Sequence, residues 1–159
     1  MLIAAIPALS ACASGFGAET RNQGATVDGA SATLADGIVI RNAFVLVPSD
    51  GVGPARSDVR LYATVVNGGS NADRVTDVRT DITSYVKADT STQVAAFTDG
   101  VFGENRVTFT LSSINEELRD GDHVPLTLHF EHAGDAALLV PVVGSQPYYS
   151  ELQTSSPTP

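Results

Sequence analysis

The chain has 159 residues, a formal net charge of −9 from 9 basic and 18 acidic residues, and 43% hydrophobic side chains. That is enough for one domain with tails, too acidic for a sequence-independent grip on nucleic acid or a polybasic hold on anionic lipid, and too apolar for disorder throughout. Only 6% aromatics with no Trp, one Cys, one Met and three His leave little from which to build stacking platforms, redox centres or metal sites.

Residues 1–11 (MLIAAIPALSA) form a short apolar run that ends in small residues, the pattern of a secretory signal peptide and too short to span a bilayer. The first basic residue is Arg21, so the charged start of such a peptide is missing and the segment reads as truncated at its start. Leu9-Ser10-Ala11-Cys12 fits the bacterial lipobox. Signal peptidase needs small side chains at the scissile bond, and the Cys thiolate takes the diacylglycerol. Cys12 is the only Cys, and a lone free thiol is a liability in an oxidising compartment. The expectation is an extracytoplasmic lipoprotein on the outer face of the cell membrane, held by acyl chains on Cys12 at about 0.8 kcal/mol per buried CH₂.

Residues 12–36 comprise the lipidated Cys and a stretch rich in Ala, Gly, Ser and Thr, with no apolar periodicity. It reads as a flexible linker with a reach on the order of 25–30 Å. Residues 37–143 carry strand signals throughout, enough chain for one hydrophobic core. The runs are Ile38 to Val47, Val59 to Asn67, Arg74 to Arg79, Ile82 to Ala88, Gln93 to Thr98, Arg106 to Leu111, His123 to Glu131 and Ala136 to Val143. Turn signals at Asn67-Gly68-Gly69-Ser70, Asp99-Gly100, Asp120-Gly121-Asp122 and Ala133-Gly134-Asp135 separate them. Only Ser113 to Leu118 has the composition of a helical turn. Pro125 and Pro141 lack a ladder donor and belong at edges, bulges or strand ends. Short strands at this spacing predict an all-β, Greek-key sandwich or barrel. Residues 144–159 read as a solvated tail, except that Tyr148 and Tyr149 could pack back on the domain edge.

The run from Leu118 to Gly134 (LRDGDHVPLTLHFEHAG), followed by Val140-Pro141-Val142, resembles the closing strands of the PCuAC family of periplasmic copper chaperones. The strand around Ala43-Phe44, the run Leu61 to Asn67, and Asp73-Arg74-Val75 resemble the same family. The likeness spans roughly residues 37–143. It implies a cupredoxin-like, immunoglobulin-like β-sandwich exported from the cytoplasm. With the lipobox and tether, the chain is most similar to LpqE-type lipoproteins.

Copper-binding members of the PCuAC family hold Cu(I) with His and Met, including a His-x-Met pair ahead of the "VPLTL" strand. That pair falls on Thr108 and Thr110 here, and no His or Met occurs between Met1 and His123. Cu(I) is soft and takes thioether, thiolate or imidazole, so the expectation is no cofactor. A different site would need His129, Glu131 and His132, which a strand end or bulge could bring onto copper(II) or zinc. The plainer reading is a polar edge beside a turn. His123 and His129 share a face but lie about 20 Å apart along a strand, too far for one ion.

No catalytic constellation stands out. There is no G-x-S-x-G elbow, and no phosphate-loop Lys follows Asn67-Gly68-Gly69. Glu116 and Glu117 are adjacent and point apart, and Asp120-Gly121-Asp122 lacks EF-hand spacing. The chain therefore reads as a non-enzymatic binding or scaffold module of the cell envelope with a protein partner or small ligand. The alternative is a copper or other metal chaperone with a non-family His site.

Overall fold

The structure, a computed structural model, describes residues 29–144. The segment expected to be a signal peptide, Cys12, most of the expected linker and the residues from Ser145 onward lie outside the described residues. The order is β1 (Ala30–Thr33), a 3-10 turn (Ala35–Gly37), β2 (Ile38–Val47), β3 (Val52–Gly53), β4 (Val59–Asn67), β5 (Asp73–Thr80), β6 (Tyr85–Ala88), β7 (Gln93–Val94), β8 (Gly103–Ser112), β9 (Leu118–Arg119), β10 (His123–Phe130) and β11 (Asp135–Gly144). The all-β expectation holds, and the described residues contain no α-helix.

One nine-stranded sheet runs β6-β8-β4-β2-β11-β10-β5-β7, with β1 also on β2, and a two-stranded piece pairs β3 with β9. The sheet curls so that its inner faces share one core, in which Leu61, Val65, Val107, Leu111, Leu128 and Val140 are all fully buried. Alternation does the work in β4, β8 and β10. Val124, Leu126, Leu128 and Phe130 point inward while His123, Pro125, Thr127 and His129 point out. β4 connects across to β5, and β5 back to β6, which gives the Greek-key crossing.

β2 breaks the alternation once. The register slips between Arg41 and Phe44, where Asn42 sits at φ 56°. The extra residue shifts the core side from Ile38 and Ile40 to Ala43, Val45 and Val47. The first half of β2 then pairs with β1, and its last residues pair in parallel with β11 (Val142 on Val45, Gly144 on Val47).

Several expectations need correction. Ala30–Thr33 and Ala35–Gly37, read as linker, form a strand and a turn, because Ala30, Ala32 and Leu34 pack on the core that β2 exposes at its edge. The Ile82 to Ala88 strand starts only at Tyr85: Ile82 and Thr83 turn inward, and the Thr83 hydroxyl donates to Ser112 O at 2.6 Å. Gln93 to Thr98 is a strand only at Gln93–Val94, with Thr98 bridging to Val101 across a turn, while β8 begins at Gly103, ahead of Arg106. Ser113 to Leu118 forms no helical turn. Ile114 is fully buried and exchanges backbone bonds with Arg56 and Ser57 (2.7 and 3.0 Å), and Leu118 enters β9. Pro125 and Pro141 sit where ladders end, the former opposite Leu139 just before pairing to β5 begins, the latter just before β11 joins β2.

Candidate functional site

The two positions singled out on β8 lie on the outer face between β4 and β6. Thr108 is opposite Tyr62, and Thr110 is opposite Arg60 on one side and Lys87 on the other. Alternation places both hydroxyls outward because Val107, Phe109 and Leu111 fill the core. The chain leaving β6 then runs alongside. Asp89 donates its N–H to Thr108 O at 2.8 Å, and the Thr110 hydroxyl donates to Asp89 Oδ2 at 2.7 Å. Thr108 N–H donates to the Thr90 hydroxyl at 2.9 Å, and that hydroxyl reaches Arg106 O at 3.3 Å. The result is a half-exposed cluster of hard oxygen donors and acceptors. Sequence reasoning missed Asp89, since nothing local ties it to a threonine 21 residues away; only the pairing of β6 with β8 does.

His129, Glu131 and His132 sit at the end of β10, where a bulge follows His129 in the pairing with β5. Each takes a separate partner. His129 lies in a row with Asp77 on β5 and Asp135 on β11, and its Nδ1 meets Asp135 Oδ1 at 2.5 Å. Its Nε2 is buried and, among the described residues, has no hydrogen-bond partner. Glu131 pairs with Arg74 at 3.0 Å. His132 is largely exposed, with Nδ1 3.4 Å from Asp73 Oδ1. The structure does not bring the three together, and among the described residues no three His, Cys, Asp or Glu gather where they could hold a metal ion.

Asp73 is the buried charge of this end of the domain. It is 5% exposed and accepts backbone N–H bonds from Arg74, His132 and Ala133 at 2.7, 3.1 and 3.0 Å. Burial alone would raise its pKa, but the bonds from Arg74, Ala133 and His132, with the His132 ring, outweigh it and hold the carboxyl below the ordinary value. It also borders a recess with Asp36, Asn67, Gly69 and His132; Asn67 is 1% exposed and spans the loop, donating to Asn71 O and accepting from Gly69 N, both at 2.8 Å.

Three of the acidic residues around the turn between β9 and β10 are engaged there. Glu117 pairs with Arg119 at 2.6 Å. Asp120 Oδ1 accepts from Gly144 N at 3.0 Å, and Asp122 Oδ2 from Arg119 N at 2.7 Å. His123 stands exposed at the start of β10.

The geometry gives one pH prediction. A carboxyl whose pKa is lowered by folding stabilises above its unfolded value of about 3.9 and loses that contribution as pH falls through the folded value. Asp73→Asn is expected to cost about 1–3 kcal/mol at pH 7, since a neutral amide cannot serve three backbone donors equally. Urea melts of both proteins from pH 7 to pH 2 should show the gap closing below about pH 4. A gap independent of pH would contradict the assignment.

The LpqE-like family model matches residues 38–142. No curated protein matches. Among solved structures, the apo PCuAC domain from PmoF1 aligns with a TM-score of 0.60 at 14% identity, covering 72% of this chain and 99% of that one. The copper-bound PCuAC domain from PmoF2 aligns with a TM-score of 0.54 at 20% identity, covering 73% and 98%. At these identities the likeness is one of fold.

Proposed function

The chain belongs to the LpqE-like family, and from that membership we propose that it is an extracytoplasmic lipoprotein anchored through Cys12, whose copper-chaperone-like β-sandwich has exchanged metal ligation for a binding or scaffold role in the cell envelope. The observation that carries the ligand exchange is the Thr110 hydroxyl donating to Asp89 at 2.7 Å. The positions that resemblance assigns to a soft His-x-Met pair hold threonines, and the oxygens there are already engaged with one another. Hydroxyl oxygen is a hard donor and a poor match for Cu(I). Upstream of His123 the sequence supplies neither His nor any Met besides Met1, which leaves with the signal peptide. With Glu117, Asp120 and Asp122 engaged in the turn, the same residues give no support to catalysis.

Anchoring rests on Cys12 standing at the lipobox position and on the family's character as lipoproteins. Acyl chains on one residue give a grip that needs no basic patch, which suits a chain of net charge −9. A copper-bound domain of the same fold makes copper the first ligand to test.

Two measurements follow. Competition of the protein against Cu(I), Cu(II) and Zn(II) chelators should give binding no tighter than that of the His129→Ala, His132→Ala double variant. Sub-micromolar binding lost in that variant would instead establish a metal chaperone with a rebuilt site. In cells, labelled palmitate should enter the full-length protein and fractionate with membranes, while Cys12→Ser should carry no label and leave the membrane; label retained by the variant would overturn the anchor.

A further inference from the structure

Asp-Gly and Asn-Gly steps are where a chain most readily cyclises on itself. The side-chain carbonyl carbon can close a five-membered ring with the next amide nitrogen, and glycine puts no side chain in the way. Within the described residues such steps occur at Asp36-Gly37, Asp50-Gly51, Asn67-Gly68, Asp99-Gly100 and Asp120-Gly121. The fold ties down all but one of them. Gly51 N–H donates to Pro48 O at 2.9 Å, and Asp50 Oδ1 accepts from Val52 N at 3.2 Å. Gly68 N–H donates to Gly37 O at 2.9 Å, with both ends of the Asn67 side chain bonded inside the loop. Gly121 N–H donates to Val142 O at 3.0 Å, and Asp120 Oδ1 accepts from Gly144 N, also at 3.0 Å. Asp36-Gly37 lies in the 3-10 turn, with Gly37 packed against the backbone of Gly68 and Gly69. In each, ring closure must first break contacts that the fold maintains.

Asp99-Gly100 is the tip of the turn between β7 and β8. Asp99 sits at φ 54° and Gly100 at φ 77°, both positive as a two-residue type I′ turn requires, which is why Asp-Gly suits this place. A single pair, Thr98 and Val101, closes the turn with bonds of 3.0 and 2.9 Å. Among the described residues neither the Asp99 carboxyl nor Gly100 N–H has a hydrogen-bond partner, and the space around Gly100 is open. Opening such an exposed tip costs far less than unfolding the sheet. We propose that Asp99-Gly100 is a site of spontaneous covalent modification. The Gly100 nitrogen bonds to the Asp99 side-chain carbonyl carbon, the C–OH bond breaks, and that hydroxyl leaves with the amide proton as water. Water then reopens the succinimide. Where it cleaves the bond to the former main-chain carbonyl, the main chain runs on through the side chain as isoaspartate. No oxidant, reductant or second substrate takes part. The new link adds a methylene to the turn, so the loop no longer matches the Thr98–Val101 pair. The apolar tip beside it, where Phe97 and Phe102 meet at 5.0 Å and Val101 is 67% exposed, loses the turn that positions it.

Incubating the full chain at neutral pH in heavy-oxygen water tests this, because each ring opening fixes one solvent oxygen. Proteolysis and electron-transfer fragmentation then locate the label and distinguish isoaspartate from aspartate. In the folded protein, label and isoaspartate should build up at Asp99 at least about tenfold faster than at Asp36, Asp50, Asn67 or Asp120, whose steps must first open locally. In urea the ranking should collapse: the other Asp-Gly steps should match Asp99, and Asn67, with its better leaving group, should overtake it. Label at Asp99 no faster than at the tied steps of the folded protein would overturn the proposal. So would the same ranking in urea, since it would then come from the local sequence and not from the fold. Chains carrying isoaspartate at this position should also lose the cross-relaxation between the Thr98 and Val101 amides, and its retention would overturn the effect assigned to the tip.

Discussion

The bulge at Arg41–Phe44 lets one ten-residue strand serve two neighbours and two faces. Without it, a strand with Ile38 and Ile40 inward would send Ala43, Val45 and Val47 out to solvent and bring Phe44 and Leu46 into the core. With it, the first half of β2 accepts Ala30–Thr33 and the second half takes β11 in parallel, joining the beginning and end of the domain. The sheet order on either side, and so the placement of β8 beside β6 and of β10 beside β5, follows from that closure.

Two polar groupings ride on this frame, and they do different work. The Asp73 carboxylate ties the β10–β11 turn to β5 by accepting the N–H groups of His132 and Ala133. It therefore fixes the His132 backbone to the fold, while the ring stays largely exposed with Nδ1 3.4 Å from Asp73. The oxygen cluster of Asp89, Thr90, Thr108 and Thr110 does the same for the strand edge at β6 and β8. A family fold known from copper-bound domains here carries side chains that satisfy one another. That is the physical content of proposing a shared architecture with a changed task, since a fold transmits function only through the residues at its site.

Much of the fold was legible in the sequence. Val59–Asn67 and Ile38–Val47 have the bounds read from alternation and turn residues, and the His123 strand faces the way its alternation implies. The misses share a cause. Ala30–Thr33 is short and made of small residues, and it becomes a strand only because β2 leaves an edge for it. Ile114 reads locally as part of a helical turn, but a distant backbone at Arg56–Ser57 claims its peptide groups. At the candidate site, the family resemblance singled out Thr108 and Thr110 and the composition drew notice to the histidines, but none of the partners of Thr110, His129 and His132 was legible. Asp89, Asp73 and Asp135 reach them through strand pairing, which leaves no local signature.

The most direct test of the central claim is a residue-resolved NMR titration of the protein with Cu(I) under anaerobic conditions. No saturable shift of the amide signals of Asp89, Thr108 and Thr110 is expected, with the cluster keeping its hydrogen bonds at excess metal. A saturable change centred on those residues at stoichiometric Cu(I) would contradict it and restore this chain to the copper-binding members of its fold.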